Sequence, residues 1–219
     1  MLGLLAGLTL AICLGAPKIG ASLALGGNTT ETVARDIVIG ADHLRIPSNY
    51  LRFEDQRQSG AAERIDLYAT WPDMLGYSED TRTRFNDISR PDGLIFLQIS
   101  QSTMSRDMTG RIEPIYRHLF EGEPRAGPAG LMAHTFTKSS GYGAETFFTA
   151  STPSDAVPTY GVRCILPEQP ALSTSADCQR DIHVGQDLVV IYRFSSQLLP
   201  QWRAIEARVV RFVEEKLIP

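Results

Sequence analysis

"CQRDIHVGQDLVVIYRFSSQLLPQWRAIEARVVRFVEEKL", residues 178–217, decides the fold class of this chain. Its first half is strand-like: "CQRDIHV" and "DLVVIYRF" are short runs rich in β-branched and aromatic residues, and the stretch from Val184 to Gln186 marks a hairpin turn between them. Its second half changes period. After Ser195 and Ser196, the apolar residues Leu198, Leu199, Trp202, Ile205, Val209, Phe212, Val213 and Leu217 recur at three- and four-residue steps, with arginine and glutamate between them. That spacing predicts a long C-terminal helix whose apolar stripe covers one face of the domain's own sheet.

Outward from this stretch the same grammar continues. "AGLMAHTFT", "ETFFTA" and "YGVRC" read as strands separated by Gly, Pro, Ser or Asp turns, with "KSSGYG" (138–143) as a hairpin turn that needs Gly141 or Gly143 at positive φ. "GLIFLQI" (93–99) is apolar on both faces and reads as a central strand, whereas "ERIDLYATW" alternates like a half-exposed one. "IVIG" and "HLRIP" form a short hairpin around Gly40, Ala41 and Asp42. Helices are expected at "SEDTRTRFNDI" (78–88) and "GRIEPIYRHLF" (110–120), and "EGEPRAGPAG" (121–130) reads as a connecting loop. Consecutive strands with few crossover helices imply an antiparallel sheet, so the fold class is α+β: an N-terminal transmembrane helix, then a mainly antiparallel β-sheet domain with a long C-terminal helix packed on the sheet. Hydrophobic content of 43% and charged content of 21% fit one globular domain, placed at residues 36–219 after a linker at 26–35.

The first 25 residues differ from the rest. "MLGLLAGLTLAICLGA" is uncharged and apolar; Pro17 and Lys18 interrupt it, and "IGASLALGG" resumes it. A cleaved signal peptide and a retained anchor both fit this run, since Ser22 and Ala24 resemble a cleavage site while Leu2 to Leu25 approaches the roughly 20 residues a bilayer requires. The anchor is favoured. Cys164 ends one strand and Cys178 begins another, across the Pro- and Ser-rich "PEQPALSTSAD", so a disulfide there would staple the loop and contribute about 3 kcal/mol. Disulfides persist in oxidising compartments, which agrees with a domain outside the cytosol.

Chemistry is scarce. The chain has no G-x-G-x-x-G, P-loop lysine, H-E-x-x-H, G-x-S-x-G or EF-hand pattern, and its histidines lack metal-ligand spacing, so neither a metal nor a cofactor is expected. A net charge of −4 leaves no basic surface for nucleic acid. In "MSRDMTGR" (104–111), Asp107 or Thr109 is placed to cap a helix, and Arg106 and Arg111 to hold an anion, or else an arginine pairs internally with an aspartate. Ser139 or Ser140, with His134 or His183 as base and Asp181 as its orienter, meets the inventory of a serine hydrolase. Such residues occur in most domains, and "KSSGYG" reads first as a turn.

Several stretches together, "LALGG", "ERIDLYATWPDMLGYS", "MSRDMTGR", "KSSGYGAE" and "CQRDIHVGQDLVVIYRFSSQLLPQW", make the chain resemble an uncharacterised family of membrane-anchored bacterial envelope proteins. The resemblance spans about residues 20–210 and implies an inner-membrane anchor at residues 2–25 with a periplasmic domain. It brings no activity with it. The basic residues expected before such an anchor are missing here. The expectation is a single-pass inner-membrane protein whose periplasmic domain binds an envelope or membrane protein without catalysis. The alternatives are a periplasmic serine hydrolase and a small-anion-binding module.

Overall fold

The computed structural model describes residues 26–150 and 158–218. The expected anchor lies outside the described residues, and among those described no helix is long and apolar enough to cross a membrane. In chain order the strands are β1 (Ala34–Ile39), β2 (Asp42–Pro47), β3 (Gly60–Ala61), β4 (Arg64–Thr70), β5 (Leu94–Gln101), β6 (Phe120–Ala126), β7 (Met132–Phe136), β8 (Thr146–Ala150), β9 (Tyr160–Cys164), β10 (Cys178–Val184), β11 (Leu188–Phe194) and β12 (Leu217–Ile218). Among the described residues two α-helices accompany them, α1 (Arg82–Asn86) and α2 (Trp202–Glu214).

Eight strands form one sheet in the order β4-β5-β11-β10-β9-β8-β7-β6, and every neighbouring pair is antiparallel. A smaller sheet, β12-β2-β1-β3, contains the β1–β2 hairpin and one short parallel pairing, β1 with β3. Strand β5 lies between β4 and β11; its inner residues Ile95, Leu97 and Ile99 are buried, and outward Phe96 is half-buried beneath the Arg52 guanidinium.

The inner face of the large sheet meets α2 and the small sheet. Ile65, Leu67, Leu97, Ile99, Val190 and Phe194 point inward, and Ile37, Leu44 and Ile46 of the small sheet and Trp202, Ile205, Val209 and Phe212 of α2 close over them. Each such aliphatic or aromatic side chain contributes about 1.5–3 kcal/mol by leaving water. Two turns lock the sheets together. The Asp42 carboxylate accepts from Gln186 N (2.9 Å) and Asp187 N (2.9 Å), while Asp187 accepts from Ala41 N (3.1 Å), so each hairpin turn is capped by the other. Gly185, at φ 73°, sits so close to the Asp42 carboxylate that a Cβ would collide with it.

The structure departs from the sequence reading in four places. The C-terminal helix is shorter than its apolar period: Ser196–Gln201, which contains Pro200, winds as a 3₁₀ segment before α2, and Leu217 leaves the helix to pair with Leu44 in β12. "GRIEPIYRHLF" is not an α-helix. Pro114 brings no amide hydrogen and the stretch folds as successive turns ending in a 3₁₀ helix at Tyr116–Leu119, although Ile112 and Tyr116 are buried as the spacing implied. "SEDTRTRFNDI" yields only the five-residue α1, because the Asp87 side chain accepts from Ser89 N (3.0 Å) and turns the chain out of the helix. "EGEPRAGPAG" contains an edge strand rather than a loop alone: β6 pairs with β7 through a register shift between Glu121 and Arg125, and an edge tolerates Pro124.

Candidate functional site

Strand β10 presents two buried charges to opposite faces. Arg180 is 2% exposed and lies on the inner side, where its guanidinium makes a bidentate pair with Glu206 of α2, Nε to Oε2 at 2.8 Å and Nη2 to Oε1 at 2.7 Å. Its third nitrogen, Nη1, donates to Thr109 Oγ1 and to the Gly161 carbonyl, each at 2.8 Å. Tyr192 donates its hydroxyl to Glu206, and the Arg180 guanidinium lies 4.5 Å from the centre of the Tyr160 ring. Burial alone would lower the Arg180 pKa, but the bonds to Glu206 hold it above the ordinary value. Burial pushes the Tyr160 and Tyr192 phenols upward.

This cluster sits on a seam. Strands β9 and β10 pair at only two positions, Cys178 with Cys164 and Gln179 with Arg163, and then part. The expected disulfide joins Cys164 to Cys178 at that place, so a covalent bond and the Arg180 guanidinium together hold strands whose backbone ladder is short.

The outer face is finished in two ways. Over β7, β8 and β9 the segment 104–119 forms a second core, in which Met108, Ile112 and Tyr116 pack on Phe136 and Phe147. Gly161 makes this possible: a Cβ there would stand 2.8 Å from Phe147 and 3.0 Å from Ile112. Over β10, β11 and β5 the face is more open, with half-buried Phe96, Gln98, Val189 and Ile191 beside exposed Arg193 and His183; at β4 it closes again, where Tyr68 is buried against Phe85 of α1 and the Arg52 guanidinium lies 5.1 Å from the Phe96 ring. A cavity of about 410 Å³ lies at the border, lined by Met104, Arg111, Ile115, Tyr116, Tyr142, Arg163, Gln179, Asp181, His183 and Ile191 among others.

Within it, Arg111 Nη2 donates to Asp181 Oδ1 at 2.6 Å and Nη1 donates to the Arg106 carbonyl at 2.8 Å. Burial alone would lower the Arg111 pKa, but the bond to Asp181 raises it above the ordinary value. Arg163 pairs with Glu145 at 3.3 Å and lies over the Tyr142 ring at 4.7 Å. Of the four residues read as an anion-binding turn, Arg111 is therefore committed to a carboxylate, Asp107 caps the turn by accepting from Gly110 N (2.9 Å), Thr109 accepts from Arg180, and the Arg106 side chain is exposed.

The residues of the hydrolase alternative have separate partners. Ser140 Oγ donates to the Thr137 carbonyl (2.7 Å) inside the turn, where Gly141 takes φ 80°, and Ser139 is exposed beside it. His134 Nε2 bonds Thr149 Oγ1 (2.9 Å), its ring stacks on Phe120 at 4.3 Å, and burial lowers its pKa. His183 Nε2 meets Ser102 Oγ at 3.0 Å. The Ser102 hydroxyl donates to the Met104 carbonyl (2.7 Å), so the imidazole supplies the hydrogen in that contact, the reverse of what an activated nucleophile requires. Asp181 serves Arg111 rather than an imidazole. Among the described residues no group of three His, Cys, Asp or Glu side chains is placed to hold a metal ion.

Sequence reading missed the Arg180–Glu206–Tyr192 cluster. Its signal was present: Arg180 is a charge on the β10 face that otherwise carries Cys178, Ile182 and Val184, and Glu206 follows Ile205 on the covered side of α2.

No family model matches the chain, and comparison with curated proteins returns no match. Two solved structures are similar. An immunity protein of the Stenotrophomonas maltophilia type IV secretion system superposes with a TM-score of 0.55 at 15% identity, covering 86% of this chain and 94% of that one. The Neisseria meningitidis iron-regulated outer membrane lipoprotein FrpD gives a TM-score of 0.43 at 13% identity, covering 85% and 97%. At 15% identity, what the first comparison shows is a shared fold.

Proposed function

We propose that the protein works by binding another protein in the bacterial envelope, without chemistry of its own, and that the open half of the outer sheet face is where it binds. The carrying observation is that β10, β11 and β5 present half-buried Phe96, Val189 and Ile191 among Gln98, Gln179 and exposed Arg193, outside both hydrophobic cores. Interfaces combine such apolar centres with polar surroundings. The occurrence of this fold in an immunity protein of a secretion system supports a protein partner. The Cys164–Cys178 disulfide and the apolar run at residues 2–25 support an inner-membrane protein with residues 36–219 in the periplasm. Commitment of Arg111 to Asp181 argues against an anion site, and the separate partners of Ser140, His134 and Asp181 argue against a hydrolase.

The test is chemical crosslinking in membranes followed by identification of adducts, run beside labelling of the purified protein with a serine-reactive phosphonate. The expected result is one reproducible protein adduct and no labelled serine. Modification of Ser139 or Ser140 that disappears on heat denaturation, with no specific adduct, would replace this reading with the hydrolase.

A further inference from the structure

The cavity at the border of the two halves carries two guanidiniums, each paired with a carboxylate. Arg111 is bound to Asp181 and Arg163 to Glu145, so the polar side of the cavity is balanced in charge, while Arg163 Nε and Asp181 Oδ2 are buried without a hydrogen-bond partner and leave one donor and one acceptor for a neutral polar group. A charged ligand would have to break the 2.6 Å Arg111–Asp181 contact or sit beside a charge of its own sign. A neutral ligand avoids both. Tyr116, Tyr142, Ile115 and Ile191 supply its aromatic and aliphatic wall, and the strand edge from Ser100 to Thr103 with His183 supplies a neutral polar rim. Arginine planes over tyrosine rings, as with Arg163 over Tyr142, extend a flat surface on which a further ring can stack. The amide of Gln179 accepts from Arg193 Nε (2.9 Å) and keeps donor hydrogens for a polar ring substituent. The volume, about 410 Å³, is at the small end of ligand sites and accommodates one large side chain.

We propose that this cavity receives an uncharged aromatic side chain, tyrosine or tryptophan, projecting from the partner protein. The proposal rests on the protein-binding reading and names the anchor that reading lacks. Buried aromatic anchors seated in pockets near the centre of an interface dominate binding energy in protein complexes. The open face beside the cavity then takes the surrounding contacts.

The experiment uses the full-length protein and a small photoreactive probe, N-acetyl-benzoylphenylalanine amide, with adducts located by peptide mapping. The expected adduct is on Met104, Ile115 or Tyr116. N-acetyltyrosine amide competes for it, whereas N-acetyllysine amide and N-acetylaspartate amide do not. Met132 and Ile88, exposed by 39% and 96% and away from the cavity, serve as internal controls. Ile191→Lys is expected to lower the adduct yield about tenfold, the effect of losing one good apolar contact. Ile115→Glu, at a residue 46% exposed, supplies the same test where folding is not at risk. Labelling of Met132 and Ile88 as strong as that of Met104, or labelling unchanged by Ile115→Glu, overturns the proposal. The probe needs no partner. Absent cavity labelling with membrane crosslinking intact therefore rejects the cavity alone, and cavity labelling without any protein adduct rejects the protein-binding reading on which it rests.

Discussion

The two halves of the outer sheet face begin from similar strands and end differently. Over β7, β8 and β9, the face carries Phe136 and Phe147, and the chain spends residues 104–119 on covering them. Over β10, β11 and β5 it carries Phe96, Val189 and Ile191, interleaved with Gln98, Gln179 and Arg193, all outside both cores and the apolar ones only half-buried, Phe96 beneath the Arg52 guanidinium. The difference lies in the residues between the apolar ones. A face of phenylalanines has to be closed for the domain to fold, whereas a mixed face is tolerable in water and remains available to a partner. The seam between the halves is held unlike either. Strands β10 and β11 pair over seven residues and β8 and β9 over five, but β9 and β10 over two, with a disulfide and a buried guanidinium supplying the rest.

The largest effect is expected at that seam. Glu206→Ala strands the Arg180 guanidinium, 2% exposed, without its counter-charge, and should destabilise by about 3–5 kcal/mol in urea titration. Replacing Arg180 and Glu206 together by methionine and leucine should recover most of this, because no buried charge is then left alone. A double change no better than the single one would show that the pair is needed for more than charge balance. Next in size, replacing Cys164 and Cys178 by alanine should cost about 3 kcal/mol, since the sequence separation of 14 leaves a loop of about 15 residues to close. A cost near zero would mean that the guanidinium and the two-residue ladder suffice.

A smaller effect is expected at Asp177, which organises the loop leading out of the disulfide. Burial alone would raise its pKa, but bonds from Ser173, Thr174 and Ser196 outweigh it and hold the carboxyl below its ordinary value. A depressed carboxyl contributes stability above its unfolded pKa of about 3.9 and loses that contribution as pH falls through the folded value. Asp177→Asn should therefore flatten the acid limb of the stability curve below about pH 4 and leave its neutral limb lower but parallel. An unchanged acid limb would remove Asp177 from the account. The smallest effect on stability belongs to the open half: Ile191→Lys, at a half-buried position of a central strand, should cost about 1 kcal/mol while weakening partner capture. Destabilisation by several kcal/mol would mean that this half is structural too.

How much of this was legible depended on how local the cause is. The hairpins, the apolar stripe of α2 and the pairing of Cys164 with Cys178 follow from spacing within a few dozen residues, and the structure bears them out. Strand β6 was not legible. An edge strand exposed on both faces carries no alternation, and Pro124 and the bulge it accompanies imitate a loop. The segment 110–120 misled for the opposite reason: Ile112 and Tyr116 have helical spacing because they plug a second core, not because they lie on a helix. For the site, the chain indicated which residues matter but not whom they face. Arg111 finds Asp181 seventy residues away, and Thr109 finds Arg180 at a separation of 71. Both contacts arise only once β10 lies beneath the turn, so neither spacing nor composition reports them.

Whether the open half is the docking face is decided by a photo-crosslinking scan in living cells. Photoreactive residues at Gln98 and Ile191 sample the open half, and Thr135, on the side of β7 opposite Phe136, and Arg208, on the exposed side of α2, sample the rest of the surface. A docking face there yields one protein adduct, of the same mass from Gln98 and Ile191 and absent from Thr135 and Arg208. Adducts arising from Thr135 or Arg208 and not from Ile191 would contradict it and move the interface to the other side of the molecule.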